Sequence, residues 1–273
     1  MRVEHEGRTT KVYFRQSWLN TYVTCPERGR REIGVPDTQE TNEAAALGTA
    51  FHAGIEAALR GEALSPADVY EISELKLVEL EHYFEYEDMG PKRARQWLAH
   101  WSPMLRSQPE FRNLYDADDS LTEHTFTVPI ATRDHVELYL TGTIDGVRPM
   151  RYLVDWKTAA RPYKRWERQR WAIQPTVYYA AARWQGLIGE HGLFKYVIFE
   201  KSLKVLEPQV IEVTRGPGHV DWLTETLWTC YDLWVAHPDG PWPLNDQHAL
   251  CSEKWCPFWT TCKGRFVKAD FNA

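Results

Sequence analysis

The feature that most constrains the fold is a pair of apolar segments that contain charged side chains. One segment reads GTIDG and ends at Gly146, and the other reads LVDWKT and begins at Leu153, so Asp145, Asp155 and Lys157 stand among residues typical of buried strands. Side chains two residues apart point to the same face of a strand, which puts Asp155 beside Lys157. The intervening RPMR sequence predicts a turn. The result would be a β-hairpin with two carboxylates and one ammonium group in one patch.

Two interpretations of this patch are open from the residues alone. An Asp-x-Lys pair on a strand is most often a surface ion pair. The apolar neighbours Ile144, Leu153 and Val154 argue against that, because charged side chains are seldom buried without a partner or a metal ion. Two carboxylates can bind Mg²⁺ or Mn²⁺. A lysine beside the metal can orient water or neutralise charge that develops on a phosphate.

A second metal site is indicated by the cysteines. The chain has five of them: Cys25, Cys230, Cys251, Cys256 and Cys262. The charged N-terminus has no apolar run, so no signal peptide is expected, and clustered cysteines in a cytosolic chain favour a metal site over disulfides. Four thiolates suit either Zn²⁺ or a [4Fe–4S] cluster, and their spacing leaves both open. The segment around Cys230 has a helical pattern, which predicts a buried free thiol outside the site.

Five motifs together resemble the PD-(D/E)xK nuclease superfamily, in particular its RecB-like and Cas4-like branch. The GTIDG and DWKT segments are similar to the D…(D/E)-x-K signature. Residues 48–56, GTAFHAGIE, resemble the G-x-x-x-H-x-x-x-E helix of this branch, and residues 174–178, QPTVY, resemble its Q-x-x-x-Y helix. One early and three late cysteines resemble the cluster ligands of Cas4-like and AddB-like nucleases, which more often have C-x2-C where this chain has C-x4-C.

The resemblance implies the residues of the catalytic site. The catalytic residues would be Asp145, Asp155, Lys157, Gln174 and Tyr178, and the metal ligands would be His52, Asp145, Asp155 and the Trp156 carbonyl. Lys157 would orient or help to deprotonate the attacking water. Gln174 and Tyr178 would share one face of a helix, near the metal and the DNA. Pro175 is expected to kink that helix, because proline removes a backbone donor.

Two glutamates near this site are also considered. Glu56 shares a helical face with His52, so it would either hydrogen-bond the imidazole ring or form an exposed ion pair. The family has a glutamate near the position of Glu123, which opens the first predicted strand.

The resemblance further implies that the cysteines hold a [4Fe–4S] cluster. The ligands would be Cys25, Cys251, Cys256 and Cys262. A cluster that joins them would close a loop of more than two hundred residues, which favours a structural role over a redox role.

The implied fold class is α/β, with a PD-(D/E)xK nuclease core in which helices flank a central mixed sheet. Predicted helices are 17–31, 41–60, 66–87, 91–106, 164–185 and 218–236, and predicted strands are 121–131, 135–147, 151–158, 192–201 and 204–213. The expected organisation is one nuclease domain over 1–273, with a helical insertion at 61–120 and a cluster region formed by 17–31 and 246–265.

Composition and charge agree with a globular nucleic-acid enzyme. Hydrophobic residues at 43% and thirteen tryptophans support a sizeable core, and no stretch approaches the ~18 apolar residues of a membrane helix. A cytoplasmic protein without a membrane partner is therefore expected. The formal net charge of −6 is not that of a protein that coats DNA broadly. It leaves room for a local basic channel.

Two basic runs are candidates for that channel. Their members are Lys157, Arg161, Lys164, Arg165, Arg168 and Arg170 in one run and Lys92, Arg93 and Arg95 in the other. Each run could equally be a solvated helix face. The interleaved Tyr163, Trp166 and Trp171 favour single-stranded nucleic acid, whose bases stack on aromatic rings beside basic residues.

The implied function is that of a metal-dependent DNA exonuclease of RecB/Cas4-like type. It would act on single-stranded DNA or DNA ends in recombination, repair or CRISPR-type adaptation. One alternative is a non-cleaving nucleic-acid-binding iron–sulfur subunit of a larger DNA-processing complex, against which Asp145, Asp155 and Lys157 argue. The other is an electron-transfer protein, against which the lack of a G-x-G-x-x-G motif after a strand argues. A protein partner and a homo-oligomer are both compatible with the sequence.

Overall fold

The helices and strands were determined from a computed structural model, which describes residues 1–34, 42–84, 90–245 and 250–262. The helices are α1 (Gln16–Thr24), α2 (Pro26–Arg31), α3 (Glu43–Leu59), α4 (Pro66–Glu79), α5 (Gly90–Ser107), α6 (Pro109–Tyr115), α7 (Arg165–Trp171), α8 (Gln174–Trp184) and α9 (Pro217–Ala236), with a 3₁₀ turn at Glu81–Tyr83. The strands are β1 (Arg2–Glu6), β2 (Thr9–Arg15), β3 (Leu121–Arg133), β4 (Val136–Arg148), β5 (Tyr152–Ala159), β6 (Gly192–Glu200) and β7 (Gln209–Arg215).

The chain forms two compact units. The first unit comprises the described residues within 1–38, 126–142 and 218–273, and the second comprises those within 39–125 and 143–217. The first unit contains every cysteine of the chain, and the second contains the Asp145–Lys157 hairpin.

Within the described residues, seven strands form one mixed sheet. Its order is β1-β2-β4-β5-β6-β7, and β3 pairs with β4 off this path. The β2–β4 and β5–β6 pairs are parallel, whereas β1–β2, β4–β5 and β6–β7 are antiparallel. The predicted α/β class with a mixed sheet flanked by helices is confirmed. No helix in the described part of the chain is long and apolar enough to cross a membrane.

The predicted hairpin is present. Strands β4 and β5 pair antiparallel with Gly146 opposite Val154. Between them the chain turns, with a hydrogen bond from the Arg151 backbone to the Arg148 carbonyl at 3.0 Å. Met150 has a φ of 57° in this turn. The register therefore brings the end of β4 that carries Asp145 next to the Asp155 position of β5.

The prediction of one helix over 164–185 is wrong. The chain leaves helical conformation at Ala172, where φ is −69° and ψ is 120°, and α8 begins two residues later. Pro175 lies in the first turn of α8, where a backbone N–H has no helical acceptor to lose. Proline therefore begins a helix here and does not kink one, so the geometry of Gln174 is undisturbed.

Other elements also differ from the sequence prediction. The predicted helix over 17–31 is divided by Cys25, whose backbone is extended, with φ −153° and ψ 102°. The predicted elements omit β1, β2 and α6. Strands β1 and β2 are held by pairing with each other and by the parallel pairing of β2 with β4. Such distant partners leave little local signal in a short stretch of sequence.

Aromatic packing fixes the helices of the second unit on its strands. Phe51 on α3, Trp101 on α5 and Phe199 on β6 form one group, with ring centroids 4.9–6.3 Å apart. All three are almost fully buried. Because His52 follows Phe51, this packing fixes the part of α3 from which the imidazole ring projects.

We expect Gly54→Ala to lower the free energy of unfolding by about 1–3 kcal/mol, the usual cost of overpacking a core. A Cβ atom at Gly54 would lie 2.1 Å from Ser73 Oγ and 2.7 Å from the Val69 carbonyl on α4. Ser73 is buried and hydrogen-bonded to that carbonyl. Gly48→Ala on the same helix is the control, because its Cβ would meet Thr158 Oγ1 at an ordinary 3.5 Å. Equal urea midpoints for the two variants would contradict this packing.

Candidate metal centre

Strand β5 carries the two charged groups that the sequence places on one face. Lys157 Nζ donates a hydrogen bond to Asp155 Oδ1 at 2.9 Å and lies 2.7 Å from Oδ2. Asp145, on β4, accepts a hydrogen bond from the Trp156 backbone at 2.8 Å. Asp155 is only 1% exposed. The predicted patch of two carboxylates and one ammonium group is therefore present.

Helix α3 brings His52 to the same patch. His52 Nδ1 lies 3.8 Å from Asp145 Oδ2, and Nε2 lies 2.8 Å from the Trp156 carbonyl. A carbonyl oxygen can only accept, so Nε2 is the donor and the lone pair of a neutral ring is on Nδ1. The Trp156 carbonyl thus orients the imidazole ring in this structure. Its predicted role as a metal ligand stays a prediction.

Glu123 completes a group of three side chains that could hold a metal ion. One ligand atom from each of His52, Glu123 and Asp145 lies within 4.8 Å of the others. Among the described residues, this is the one cluster of three His, Cys, Asp or Glu side chains with ligand atoms so close together. Glu123 has a φ of 50°, which is uncommon for a residue with a side chain and costs of order 1–3 kcal/mol. Backbone strain of this kind is frequent at functional sites.

The sequence prediction left Glu123 out of the ligand set. Its position in a strand that precedes Asp145 by 22 residues carries no spacing signal. The family resemblance was the one available signal, since it implies a glutamate near this position.

The site has more negative than positive charge. Burial raises the pKa of Glu123 to about 7, and the Asp145 carboxylate adds to this effect. Burial likewise raises the pKa of Asp155 to about 6, although Lys157 opposes the shift. Burial acts to lower the pKa of Lys157, but Asp155 and Asp145 outweigh it and raise that pKa above its ordinary value. One ammonium group therefore faces three carboxylates.

The donor set fits a hard divalent cation. Carboxylate oxygens and a neutral imidazole suit Mg²⁺ or Mn²⁺. Asp155 Oδ2 is buried and accepts no hydrogen bond of good geometry from the described residues, despite its 2.7 Å approach to Lys157. Buried polar atoms are normally satisfied. A cation beside Asp155 would satisfy this oxygen and offset the excess negative charge.

Helix α8, which follows the hairpin in the sequence, also contacts Asp155. Gln174 Nε2 donates to Asp155 Oδ1 at 2.7 Å and lies 3.3 Å from the Tyr178 hydroxyl. Both side chains are buried. The expected sharing of one helical face by Gln174 and Tyr178 is present, and it brings them to the carboxylate of β5.

An open groove of about 440 Å³ adjoins these residues. Its lining consists of Ala44, Ala45, Gly48, Thr49 and His52 from α3 and Trp156, Lys157 and Thr158 from β5. The small side chains of α3 leave space beside Lys157. Glu56, one turn further along α3, forms an ion pair with Arg60 at 2.5 Å. Of the two alternatives from the sequence, a hydrogen bond to the imidazole ring or an ion pair, the structure has the ion pair.

The cysteines lie in the first unit, and none of the five, all of which the structure describes, forms a disulfide. Cys230 is fully buried on α9, as the sequence predicts. Burial raises the pKa of its thiol to about 12.

Hydrogen bonds join the segment after Cys25 to the C-terminal cysteine segment. Arg31 Nη1 donates to Thr261 Oγ1 at 2.9 Å, and Arg28 Nη1 lies 3.5 Å from the Trp255 carbonyl. Thr261 and Trp255 directly precede Cys262 and Cys256 in the sequence. These contacts join the segment that follows Cys25 to the segment that carries Cys256 and Cys262.

A buried carboxylate strengthens the same region. Glu27 accepts hydrogen bonds from the side chains of Arg30 and Arg31 and from the Trp242 backbone, all at 2.8–2.9 Å. Burial alone would raise the pKa of Glu27, but these hydrogen bonds lower it to about 2. The charged carboxylate therefore ties α2 to the chain that follows α9.

Comparison with known proteins identifies the class. The model of the PD-(D/E)XK nuclease superfamily matches residues 14–263, and the chain belongs to this superfamily. A solved structure described as "Crystal structure of SSO0001" is 12% identical, with a TM-score of 0.37, and covers 91% of this chain and 93% of that chain. No curated protein matches the sequence. Membership and the acidic site together indicate a metal-dependent nuclease with a nucleic-acid substrate.

We expect Mn²⁺ affinity to rise with pH through about 7, because Glu123 must lose its proton to bind a cation. Below that pH the affinity should fall by up to about tenfold per pH unit, since one proton is released on binding. Glu123→Gln should bind Mn²⁺ more weakly and lose this titration step. Isothermal titration of the DNA-free protein across this range measures both effects.

The control for that titration is Glu79→Gln, since Glu79 is exposed and pairs with Lys76. Its Mn²⁺ affinity and pH profile should equal those of the parent. A Glu123→Gln variant with the parent's affinity and profile would remove Glu123 from the site.

Proposed function

We propose that this protein is a divalent-metal-dependent DNA exonuclease of RecB/Cas4-like type that also carries a [4Fe–4S] cluster. One observation carries the proposal. His52, Glu123 and Asp145 present ligand atoms within 4.8 Å of one another, beside the buried Asp155–Lys157 pair.

The chain's own residues have separate tasks in the proposed hydrolysis. The cation would be held by His52, Glu123, Asp145, Asp155 and the Trp156 carbonyl. A divalent ion bound there lowers the pKa of water and stabilises charge on a phosphate. Lys157, held by Asp155, orients the attacking water or helps to deprotonate it, and it neutralises negative charge on the phosphate. Gln174 keeps Asp155 in place, and Tyr178 supports Gln174. The family implies a 5′-phosphate and a 3′-hydroxyl as products.

The proposed substrate is single-stranded DNA or a DNA end. The open groove beside Lys157 supports this, because small side chains on α3 leave room for a strand next to the metal ligands. Recombination, repair and CRISPR-type adaptation all use such substrates. A cytoplasmic location, a protein partner and a homo-oligomer stay predictions.

The test uses linear and circular single-stranded DNA with Mg²⁺ or Mn²⁺. The parent should degrade the linear strand and spare the circle, and substrates blocked at the 5′ or the 3′ end report its polarity. Asp155→Ala should abolish degradation, and Lys157→Ala should reduce the rate by roughly 10²-fold or more, the usual loss for a positioned charged group. Glu79→Gln, an exposed carboxylate paired with Lys76, is the control.

The outcomes separate the alternatives. Cleavage of the circle would reject the exonuclease and retain the nuclease. DNA binding without cleavage in any metal would favour the non-cleaving subunit. Full activity of Asp155→Ala, or of the parent in excess EDTA, would contradict the proposed mechanism.

The cluster proposal rests on the chemistry and location of the four cysteines. Thiolates are the ordinary ligands of [4Fe–4S] clusters, and Cys25, Cys251, Cys256 and Cys262 would hold one. The contacts of Arg28 and Arg31 with the C-terminal cysteine segment support a shared site. A cluster there would add a covalent link between segments that hydrogen bonds already join, which is a structural role.

We expect the protein to be brown when purified without oxygen, with about four irons per chain. Cys25→Ser should lose iron and thermal stability, because it removes the ligand that joins α1 and α2 to the C-terminal segment. Cys230→Ala is the control and should keep its iron, since Cys230 is buried on α9. Iron analysis and thermal melts measure both. A colourless protein with one zinc would reject the iron while retaining the ligand set.

A further inference from the structure

Helix α7 exposes two indole rings to solvent. Trp166 is 46% exposed and Trp171 is 69% exposed. Their ring centroids lie 4.8 Å apart, with an interplanar angle of 77°. Tryptophan is highly buried on average, and adjacent exposed aromatic rings are typical of binding surfaces. The edge-to-face arrangement keeps the two rings together and leaves ring surface accessible.

Basic residues flank these tryptophans along α7. Residues 164–170 contain four basic residues and one acidic residue, whereas the whole chain has a net charge of −6. Lys164, Arg165 and Arg170 are exposed. The acidic residue, Glu167, pairs with Lys164 at 3.0 Å. The surface is therefore locally positive and aromatic, which complements an anionic partner with flat rings.

Helix α7 contacts β6, the strand that pairs with β5 of the candidate metal centre. The guanidinium of Arg168 lies 3.9 Å from the centroid of the Tyr163 ring and 5.8 Å from that of the Tyr196 ring. Tyr196, on β6, is the register partner of Asp155 on β5. A partner on α7 would consequently lie close to the proposed point of cleavage.

A buried arginine fixes α7 relative to α8. Arg215 is 4% exposed and donates to the carbonyls of Gln169 and Ala172 and to Thr176 Oγ1. These acceptors belong to the end of α7, the connection after it and the first turn of α8. Because α8 begins with Gln174, which binds Asp155, this arginine keeps the exposed indoles in a fixed position relative to that carboxylate.

We propose that α7 is a base-stacking surface that selects single-stranded DNA for the metal centre. The inference rests on the proposed function, because it takes DNA as the substrate. The indoles of Trp166 and Trp171 stack on bases, while Arg165 and Arg170 contact the phosphates between them. A duplex keeps all of its base faces inside the helix except those of its terminal pairs, so it offers these rings far less stacking surface. The surface therefore favours a single strand over a duplex.

The test measures binding in EDTA, where hydrolysis is absent, with three fluorescein-labelled probes of equal length. The probes are an oligothymidylate, an abasic oligomer and a blunt duplex. Trp166→Ala and Trp171→Ala should each weaken oligothymidylate binding by about 5- to 150-fold, the range for one stacked base. The abasic oligomer should bind the parent and both variants equally.

Two further variants check the stacking and the folding. Trp171→Phe retains an aromatic ring and should keep most of the affinity. Trp184→Ala removes a tryptophan that is 58% exposed, between the values for Trp166 and Trp171, from α8 in the same unit, and it should bind all three probes as the parent does.

The phosphate contacts have their own readout. Arg165→Gln combined with Arg170→Gln should reduce the salt dependence of binding, with a change in slope of ~0.7 per contact on single strands. This change should appear on the oligothymidylate and on the abasic oligomer alike.

Two results would overturn the proposal: parent-like oligothymidylate affinity in both tryptophan variants, or an equal loss on the abasic oligomer. Binding through α7 without any cleavage in Mg²⁺ or Mn²⁺ would reject the proposed nuclease function but support this surface. Cleavage with no contribution from α7 would do the reverse.

Discussion

The buried carboxylate of Asp155 is the interaction on which the second unit depends. A carboxylate with 1% exposure is costly unless charged and polar partners surround it. Lys157 from the same strand and Gln174 from α8 supply those partners at 2.7–2.9 Å. Asp145 is held by the backbone of the intervening Trp156. The β4–β5 hairpin and helix α8 therefore both contribute to the surroundings of this one buried carboxylate.

Excess negative charge makes the site around Asp155 suited to binding a cation. Three carboxylates face one ammonium group, and burial raises the pKa values of Glu123 and Asp155. Without a cation, these carboxyls can relieve the repulsion by holding protons. A divalent ion held here would relieve it more fully, because it would also satisfy the oxygen of Asp155 that lacks a hydrogen bond. The strained backbone of Glu123 is consistent with a residue held in place for binding.

Hydrogen bonds within the first unit join its N-terminal helices to the described residues that follow α9. Glu27 ties α2 to Trp242, and Asn245 donates to the Thr24 carbonyl at 2.6 Å. Arg31 adds a contact with Thr261. These bonds join the segments that carry the cysteines, and they do so through protein groups alone.

Local spacing in the sequence determined the hairpin, the Asp155–Lys157 pair and the shared face of Gln174 and Tyr178, because strand and helix periods depend on adjacent residues. Tertiary structure alone decided the rest. Glu123 reaches Asp145 across 22 residues because β3 pairs with β4. At the break between α7 and α8, the Ala172 carbonyl and the Thr176 hydroxyl accept hydrogen bonds from Arg215, some forty residues later in the chain. Such contacts follow from the pairing of distant segments, and no short stretch of sequence encodes that pairing.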